Sequence, residues 1–400
     1  MVNYGSGNLG EETISTNDSK SNPILEYRNL TVEAGNTLTL PSRCRLLVSD
    51  TLTVDGEIVV QYDIAGSSSG GPKGGDSGGN LELMAKTITG TGTIRVDGED
   101  GADGNNFGNR NNGGAGVGYS IPSTGATGSG ASTPEVGSNA DDDYENGWNG
   151  NTSGGSAGTP HSSIYDDSAL KAYIEDYLIS GAYITQSPID TMLPGSGSSG
   201  AGGGSEGLDD PDRTNNYRTY RVDVGGGGGG AGGSFISQGG AGGNGDDNTT
   251  YSNSVLSNNS ANNNNSANAS VRGGEGGGGG GAGGFILLVS ENVGTGVTFS
   301  VRGGNGGDGY WSEVNGQNVD SNDATVSFNY QASSRDGGGG GGGSGGLIIG
   351  FCDKTPTVDL SGGSGGIPGG QRRDGSNFNS NAGSTGQDGA TFIYDVTELV

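Results

Sequence analysis

Unbroken runs of glycine constrain this chain more than any other feature: Gly225–Gly230, Gly276–Gly281 and Gly337–Gly343. A residue without a Cβ contributes no side chain to a core, and ordering it costs more backbone entropy than ordering any other residue. Glycine fills 90 of the 400 positions, and apolar side chains only 28%, whereas ordinary domains carry about 7% glycine. The chain therefore cannot rest mainly on interlocked Leu, Ile and Phe. Either the tracts are unstructured linkers, or they bond to one another.

The placement of the tracts separates these fates. A repeated unit is present: a Gly-rich tract, a short apolar run, often a second β run, then another Gly-rich tract. The clearest copy passes from Gly276–Gly281 to Phe285–Val289, then to Val297–Val301 and Gly303–Gly309. Another joins Gly337–Gly343, Leu347–Ile349, Val358–Leu360 and Gly362–Gly366. An earlier copy joins Gly78-Gly79, Leu81–Met84, Thr93–Val96 and Gly98–Gly104, and a truncated one joins Gly225–Gly230, Phe235-Ile236 and Gly239–Gly245. Linkers have no reason to recur with strands fixed to their ends. Phosphate-binding loops are followed by helices, and these tracts are followed by strands or polar inserts. Linkers stay open, and the recurrence favours over them a packed glycine helix of the polyproline II type, with about three residues per turn and all backbone polar groups turned outward. Several such helices can satisfy one another through close backbone approach.

The rest of the chain divides around this repeat. Residues 1–23 are polar and read as flexible or as an attachment segment. From Ile24 to about Ile64, short runs such as Leu30–Val32, Leu38–Leu40, Leu46–Val48, Leu52–Val54 and Ile58–Val60 alternate with turn residues. They predict a small all-β N-terminal domain (1–64) or a stack of β-solenoid rungs. Residues 65–400 form the glycine-rich domain, mainly β and irregular, with inserts at 105–220, 246–270, 310–335 and 371–388. One helix is expected near 168–179, where Leu170, Tyr173, Ile174, Tyr177 and Leu178 fall at helical spacing.

Charge and scarce residue types exclude several functions. With 45 acidic and 18 basic residues the net charge is −27, which opposes nucleic acid and anionic membranes. An acidic, Lys-poor surface also suits a very salty environment, where repulsion is screened. His161 is the only histidine, and Cys44 and Cys352 the only cysteines. No disulfide framework or His-based metal site follows, and both cysteines read as small buried apolar residues. Gly303–Asp308 and Gly242–Asp247 match the start of a calcium-binding β-roll repeat, but the matches are isolated, and a solvated turn is the plainer reading. Asp141–Asp143 and Asp209-Asp210 read as solvated acidic surface in the same way. No spacing selects a catalytic acid pair, so the chain reads as non-enzymatic, with no cofactor and no metal. No apolar run can span a membrane, and Met1–Gly5 lacks the features of a signal peptide. An extracellular role then calls for another way out of the cell, of which release by lysis as part of a virus particle is one.

The order of features resembles the distal receptor-binding adhesins of tailed viruses. The tracts Gly225–Gly233, Gly273–Gly284, Gly303–Gly309, Gly337–Gly346 and Gly362–Gly370, with the inserts between them, carry the resemblance over roughly residues 65–400. It implies a domain of stacked polyglycine II helices, host recognition by segments looped out at a tip, and an N-terminal domain that meets other virion proteins. Partners would be a host surface receptor, glycan or surface-layer protein, and the chain would sit on the virion surface, as a homo-oligomer in some assemblies. A capsid turret or decoration protein and a cellular surface-matrix protein stay open. Tyr and Trp give large contact area at low entropy cost, which makes Tyr144, Trp148, Tyr217, Tyr251, Tyr310, Trp311 and Tyr330 the candidate receptor-binding residues. Two features depart from a pure glycine lattice: the strongly apolar Phe285–Val289 and Leu347–Ile349, and the long insert at 105–220.

Overall fold

The computed structural model describes residues 4–66, 72–104, 116–118, 155–157, 221–224, 229–235, 237–242, 268–272, 275–310, 313–317, 331–334, 337–369 and 381–396. Among these the chain is all-β, without an α-helix. The segment 168–179 lies outside the described residues. The first strands are β1 (Glu11–Ile14), β2 (Asp18–Ser19), β3 (Ile24–Tyr27), β4 (Asn29–Val32), β5 (Thr37–Leu40), β6 (Arg43–Val54) and β7 (Glu57–Val60). They are followed by β8 (Asn80–Gly90), β9 (Thr93–Arg95), β10 (Arg221–Val224), β11 (Asn268–Arg272), β12 (Phe285–Ser290), β13 (Asn292–Val293) and β14 (Thr298–Ser300). The last are β15 (Glu313–Gln317), β16 (Gln331–Ser334), β17 (Leu347–Cys352), β18 (Thr357–Asp359) and β19 (Ala390–Asp395).

The strands stack as parallel rungs. A nine-stranded sheet follows the order β1-β4-β6-β8-β12-β17-β19, with β3 beside β6 and β13 beside β8. A six-stranded sheet follows the order β2-β5-β7-β9-β14-β18. Every pairing in both is parallel. The chain passes from the larger sheet to the smaller at each rung, so Asp55-Gly56 and Ala34-Gly35-Asn36 are corners between sheets rather than hairpin turns. Rungs run on past residue 64: β6 pairs with β8, and β8 with β12.

Residues 11–19, expected to be merely polar, form the first rung, with Ile14 buried. Polarity there suits an edge: Glu11, Glu12 and Asp18 line it, Arg28 pairs with Glu11, and Lys20 pairs with Glu12 and Asp18. Charged edge strands resist pairing with other chains.

One apolar cluster draws on both sheets: Leu30, Leu38, Leu52, Ile58, Leu83, Ile94, Ile286 and Phe299 among others. A second lines the opposite face of the larger sheet, with Met84, Phe285, Leu287, Leu347, Ile349 and Phe351. Phe235 and Ala282 pack there too. All six residues of β12 and of β17 are buried. That double burial explains why these strands read as continuous apolar runs, since a strand covered on both faces cannot alternate. Phe235 differs from the expectation of a strand at Phe235-Ile236, and Ile236 lies outside the described residues. Phe235 plugs the second cluster, its N–H donates to Ser344 Oγ at 2.9 Å, and Gly239 N–H donates to Ser234 Oγ at 2.9 Å as the chain turns back. Cys44 and Cys352 are free and buried, and burial pushes both thiols up to about 12.

The glycine tracts extend from the ends of these strands and bond to one another with a three-residue repeat. Gly277, Gly280 and Gly283 donate to the carbonyls of Gly338, Gly341 and Ser344 at 2.8–2.9 Å. Gly278, Gly281 and Gly284 donate to Ala102, Glu99 and Val96. Ala282, in the third register, donates to Val117. Each register of one tract thus meets a different neighbour. A Cβ on Gly277 would lie 1.9 Å from Gly307 O, on Gly278 2.2 Å from Lys73 O, and on Gly279 2.0 Å from Ala231 O. The positive-φ glycines are Gly5, Gly7, Gly10, Gly35 and Gly90, all outside the tracts. Tract glycines are required for close approach rather than for backbone conformation.

Candidate functional site

The strands of the two sheets lie at one end of the tracts, and the residues that flank the inserts at the other. Gly79, Gly284, Gly346 and Gly389 lead into β8, β12, β17 and β19, while Val96, Val301 and Leu360 lead out of the smaller sheet. At the far ends a net of hydrogen bonds ties the tract termini together. Tyr310 N–H donates to Glu275 O at 2.8 Å, and Gly337 N–H to Tyr310 O at 3.0 Å. Gly369 N–H donates to Gly337 O at 2.9 Å, and Gly339 N–H to Asn381 O at 3.1 Å. Gly155 N–H donates to Gly229 O, and Gly242 N–H to Gly155 O. The chain segments between 242 and 275, 310 and 337, and 369 and 381 therefore leave and re-enter on one side of the molecule.

Four strands of the inserts gather on that side. β10 pairs with β16 in parallel, and β11 with β15 antiparallel. β11 also lies beside β10 and β16. Segments far apart in sequence, which adjoin the inserts 105–220, 246–270 and 310–335, are thereby brought together. Composition alone placed 381–388 in an insert. These residues instead form an outermost tract, because Gly383, Gly386 and Gly389 recur every third position and face Gly340, Gly343 and Gly346.

Of the candidate receptor-binding aromatics, Tyr310 is described. It is half-buried, and its backbone forms the last step of the tract before the insert. Tyr144, Trp148, Tyr217, Tyr251, Trp311 and Tyr330 lie outside the described residues, as do Asp141–Asp143 and Asp209-Asp210.

A second arrangement, on the side of the bundle, was missed when the sequence was read for motifs. Asp97, Asp100 and Asp103 accept backbone N–H groups of Arg302, Asn305 and Asp308 at 2.7, 2.6 and 2.8 Å. Asn305 and Asp308 in turn accept the N–H groups of Ser364 and Ile367 at 2.9 and 2.8 Å. Asp388 does the same for Gly362 at 3.0 Å. The signal was the spacing of three residues within a Gly-rich tract. It accounts for the resemblance of Gly303–Asp308 to a calcium repeat: the Asn305 and Asp308 side chains accept backbone N–H groups. Among the described residues no cluster of His, Cys, Asp or Glu is arranged to hold a metal. A shallow open depression of about 550 Å³ on this face is lined by Asp100, Asp103, Asn305, Asp308, Ser364 and Ile367.

Burial raises the Asp97 carboxyl above the usual carboxylate range, against the opposing hydrogen bonds from Ser300 Oγ and Arg302 N–H. A raised folded-state value means that the native protein binds this proton more tightly than the unfolded chain. The stability it contributes is full below the unfolded value and is lost as pH rises through the folded one. Asp97→Asn keeps an acceptor oxygen and removes the ionisation. Its melting temperature relative to wild type should rise between pH 4 and pH 7. A relative fall over that interval, measured by calorimetry, would exclude this account.

The geometry defines a class of architecture: a stack of parallel β rungs that carries a bundle of glycine tracts, with the tract termini that flank the inserts tied together at the far end. Comparisons with family models, with characterised proteins and with solved structures give no match.

Proposed function

We propose that the chain is a virion-surface adhesin whose inserts bind a host receptor. In this reading the tracts are polyglycine II helices packed as a lattice, consistent with their three-residue hydrogen-bond repeat. The observation that carries the reading is the common exit of the segments between 242 and 275, 310 and 337, and 369 and 381. A rigid bundle that returns several polar segments to one side presents a composite surface, as binding loops on rigid scaffolds do. The receptor is a surface glycan or a surface-layer protein, engaged through Trp311, Tyr330 and their neighbours. The rung stack at the N-terminal end joins other virion proteins, and the acidic composition suits a salt-loving host.

Replacing residues 318–330 with a short Gly/Ser loop, together with Trp311→Ala, tests this. The replacement leaves β15 and β16 in place, and loop-length changes cost little. The melting temperature should change by a few degrees at most, while binding of the purified protein to host cells falls at least tenfold, since aromatic anchors dominate interface energy. Undiminished binding after this change, and after separate replacement of 246–266 and 371–380, would leave these inserts without the proposed role.

A further inference from the structure

We infer that side chains in the outward registers of the outer tracts terminate the bundle and keep two copies of the chain from joining tract to tract. This inference is independent of the adhesin reading. It starts from a correspondence between sequence and neighbours. In the central tracts 276–281 and 337–343 every register is glycine, and every register faces another backbone at 1.9–2.2 Å from a built Cβ. In tract 302–309, Gly303, Gly306 and Gly309 face tract 337–346, and Gly304 and Gly307 face tract 97–104. The third register holds Arg302, Asn305 and Asp308. In tract 361–369, Gly363 and Gly366 face tract 302–309, and Gly362 and Gly365 face tract 381–389. The third register holds Ser361, Ser364 and Ile367, with Ile367 63% exposed. In tracts 97–104 and 381–389 only one register is glycine, and it faces a central tract; Glu99 and Ala102, and Ser384 and Gln387, donate their N–H groups to the flanking segments 73–76 and 238–241. On tracts 302–309 and 361–369 glycine stands in the registers that face a neighbouring tract, and the side chains stand in the third register, which faces none; Ala231, Ala282, Ser234 and Ser344 are side chains buried elsewhere in the tracts.

The free registers are closed in two ways. Their Cβ atoms occupy the space that a further tract would need, since where tracts adjoin through Gly277–Gly281 and Gly339–Gly343 a Cβ would meet backbone at 1.9–2.2 Å. Their N–H groups, which would otherwise be offered to an incoming carbonyl, are already accepted by Asp97, Asp100, Asp103, Asn305 and Asp308. An open glycine face is the tract equivalent of an unprotected edge strand, ready to template association. The charge of the three aspartates on tract 97–104 adds repulsion between like faces.

The test compares two sets of substitutions in the full chain at the same four positions. One set is Asn305→Gly, Asp308→Gly, Ser364→Gly and Ile367→Gly; the other places Ala at all four. Both remove the same side-chain hydrogen bonds, and they differ only in the Cβ. Light scattering across a concentration series should show the Gly set associating at concentrations at least tenfold below wild type, and the Ala set behaving as wild type. A Gly set that keeps the wild-type mass throughout, or two sets that associate alike, overturns the inference. Should circular dichroism show the Gly set unfolded, the pairs Asp308→Gly/Ile367→Gly and Asp308→Ala/Ile367→Ala are compared by the same criterion.

Discussion

Gly340→Val should abolish cooperative folding of the glycine-tract bundle. The new Cβ would sit 1.9 Å from Gly278 O, 2.6 Å from Gly278 C and 3.1 Å from Gly277 O. All three atoms are backbone, so no side chain can swing aside. Gly278→Val meets Lys73 O at 2.2 Å in the same way. Relief requires separating two tracts, which breaks their hydrogen bonds in every turn. Losses beyond about 4–5 kcal/mol are exceptional for single substitutions, and these two belong in that class. Asn305→Val is the control, because its register faces no tract. It removes two hydrogen bonds, from Ser364 N–H and Ser364 Oγ, both 2.9 Å long, each worth about 1 kcal/mol. Urea denaturation of the three variants decides the point. Equal midpoints for Gly340→Val and Asn305→Val would show that the tracts are not packed as described.

Glu82→Ala should be the most damaging substitution within the rung stack. Glu82 on β8 and Arg45 on β6 are partners in register, and their side chains form an ion pair at 0% and 5% exposure. Both point to the face of the larger sheet that also holds Leu47 and Met84. Removing the carboxylate takes away the guanidinium's in-register partner at a nearly dry position, and breaking a buried pair in this way costs about 3–5 kcal/mol. The pair itself is not expected to be a net source of stability, since desolvation offsets the attraction. Arg45→Met combined with Glu82→Leu should therefore recover most of the loss. A double variant as unstable as Glu82→Ala would mean that the charges hold something that apolar packing cannot replace.

Much of the strand content was legible in the sequence. The runs Leu30–Val32, Leu38–Leu40, Ile58–Val60, Phe285–Val289 and Leu347–Ile349 all fall within strands, because branched apolar residues in short runs between turns have few other uses. Periodicity could not say which strands pair, and the parallel rungs follow from connections that only the fold fixes. Leu46–Val48 and Leu52–Val54, read as separate runs, lie on the single strand β6, with a register shift between Val48 and Thr51. The polar segment 11–19 was not recognisable as a rung, because an edge strand is selected for charge rather than for burial. Phe235 was misplaced for the opposite reason: one apolar residue can be a plug as well as a strand.

The candidate site divides along the same line. That tracts and inserts alternate is written in composition. That the ends of inserts separated by whole tracts and strands share one side depends on tracts running alternately away from the sheets and back to them, which no local pattern encodes. Glycine runs by themselves determined that backbones would approach closely, because a residue without a Cβ permits it. The tertiary structure alone decided which register of each tract meets which neighbour, and so why Asn305 and Asp308 are tolerated in a lattice where Gly340 cannot change: a Cβ needs space, and only the arrangement of neighbours determines where that space is.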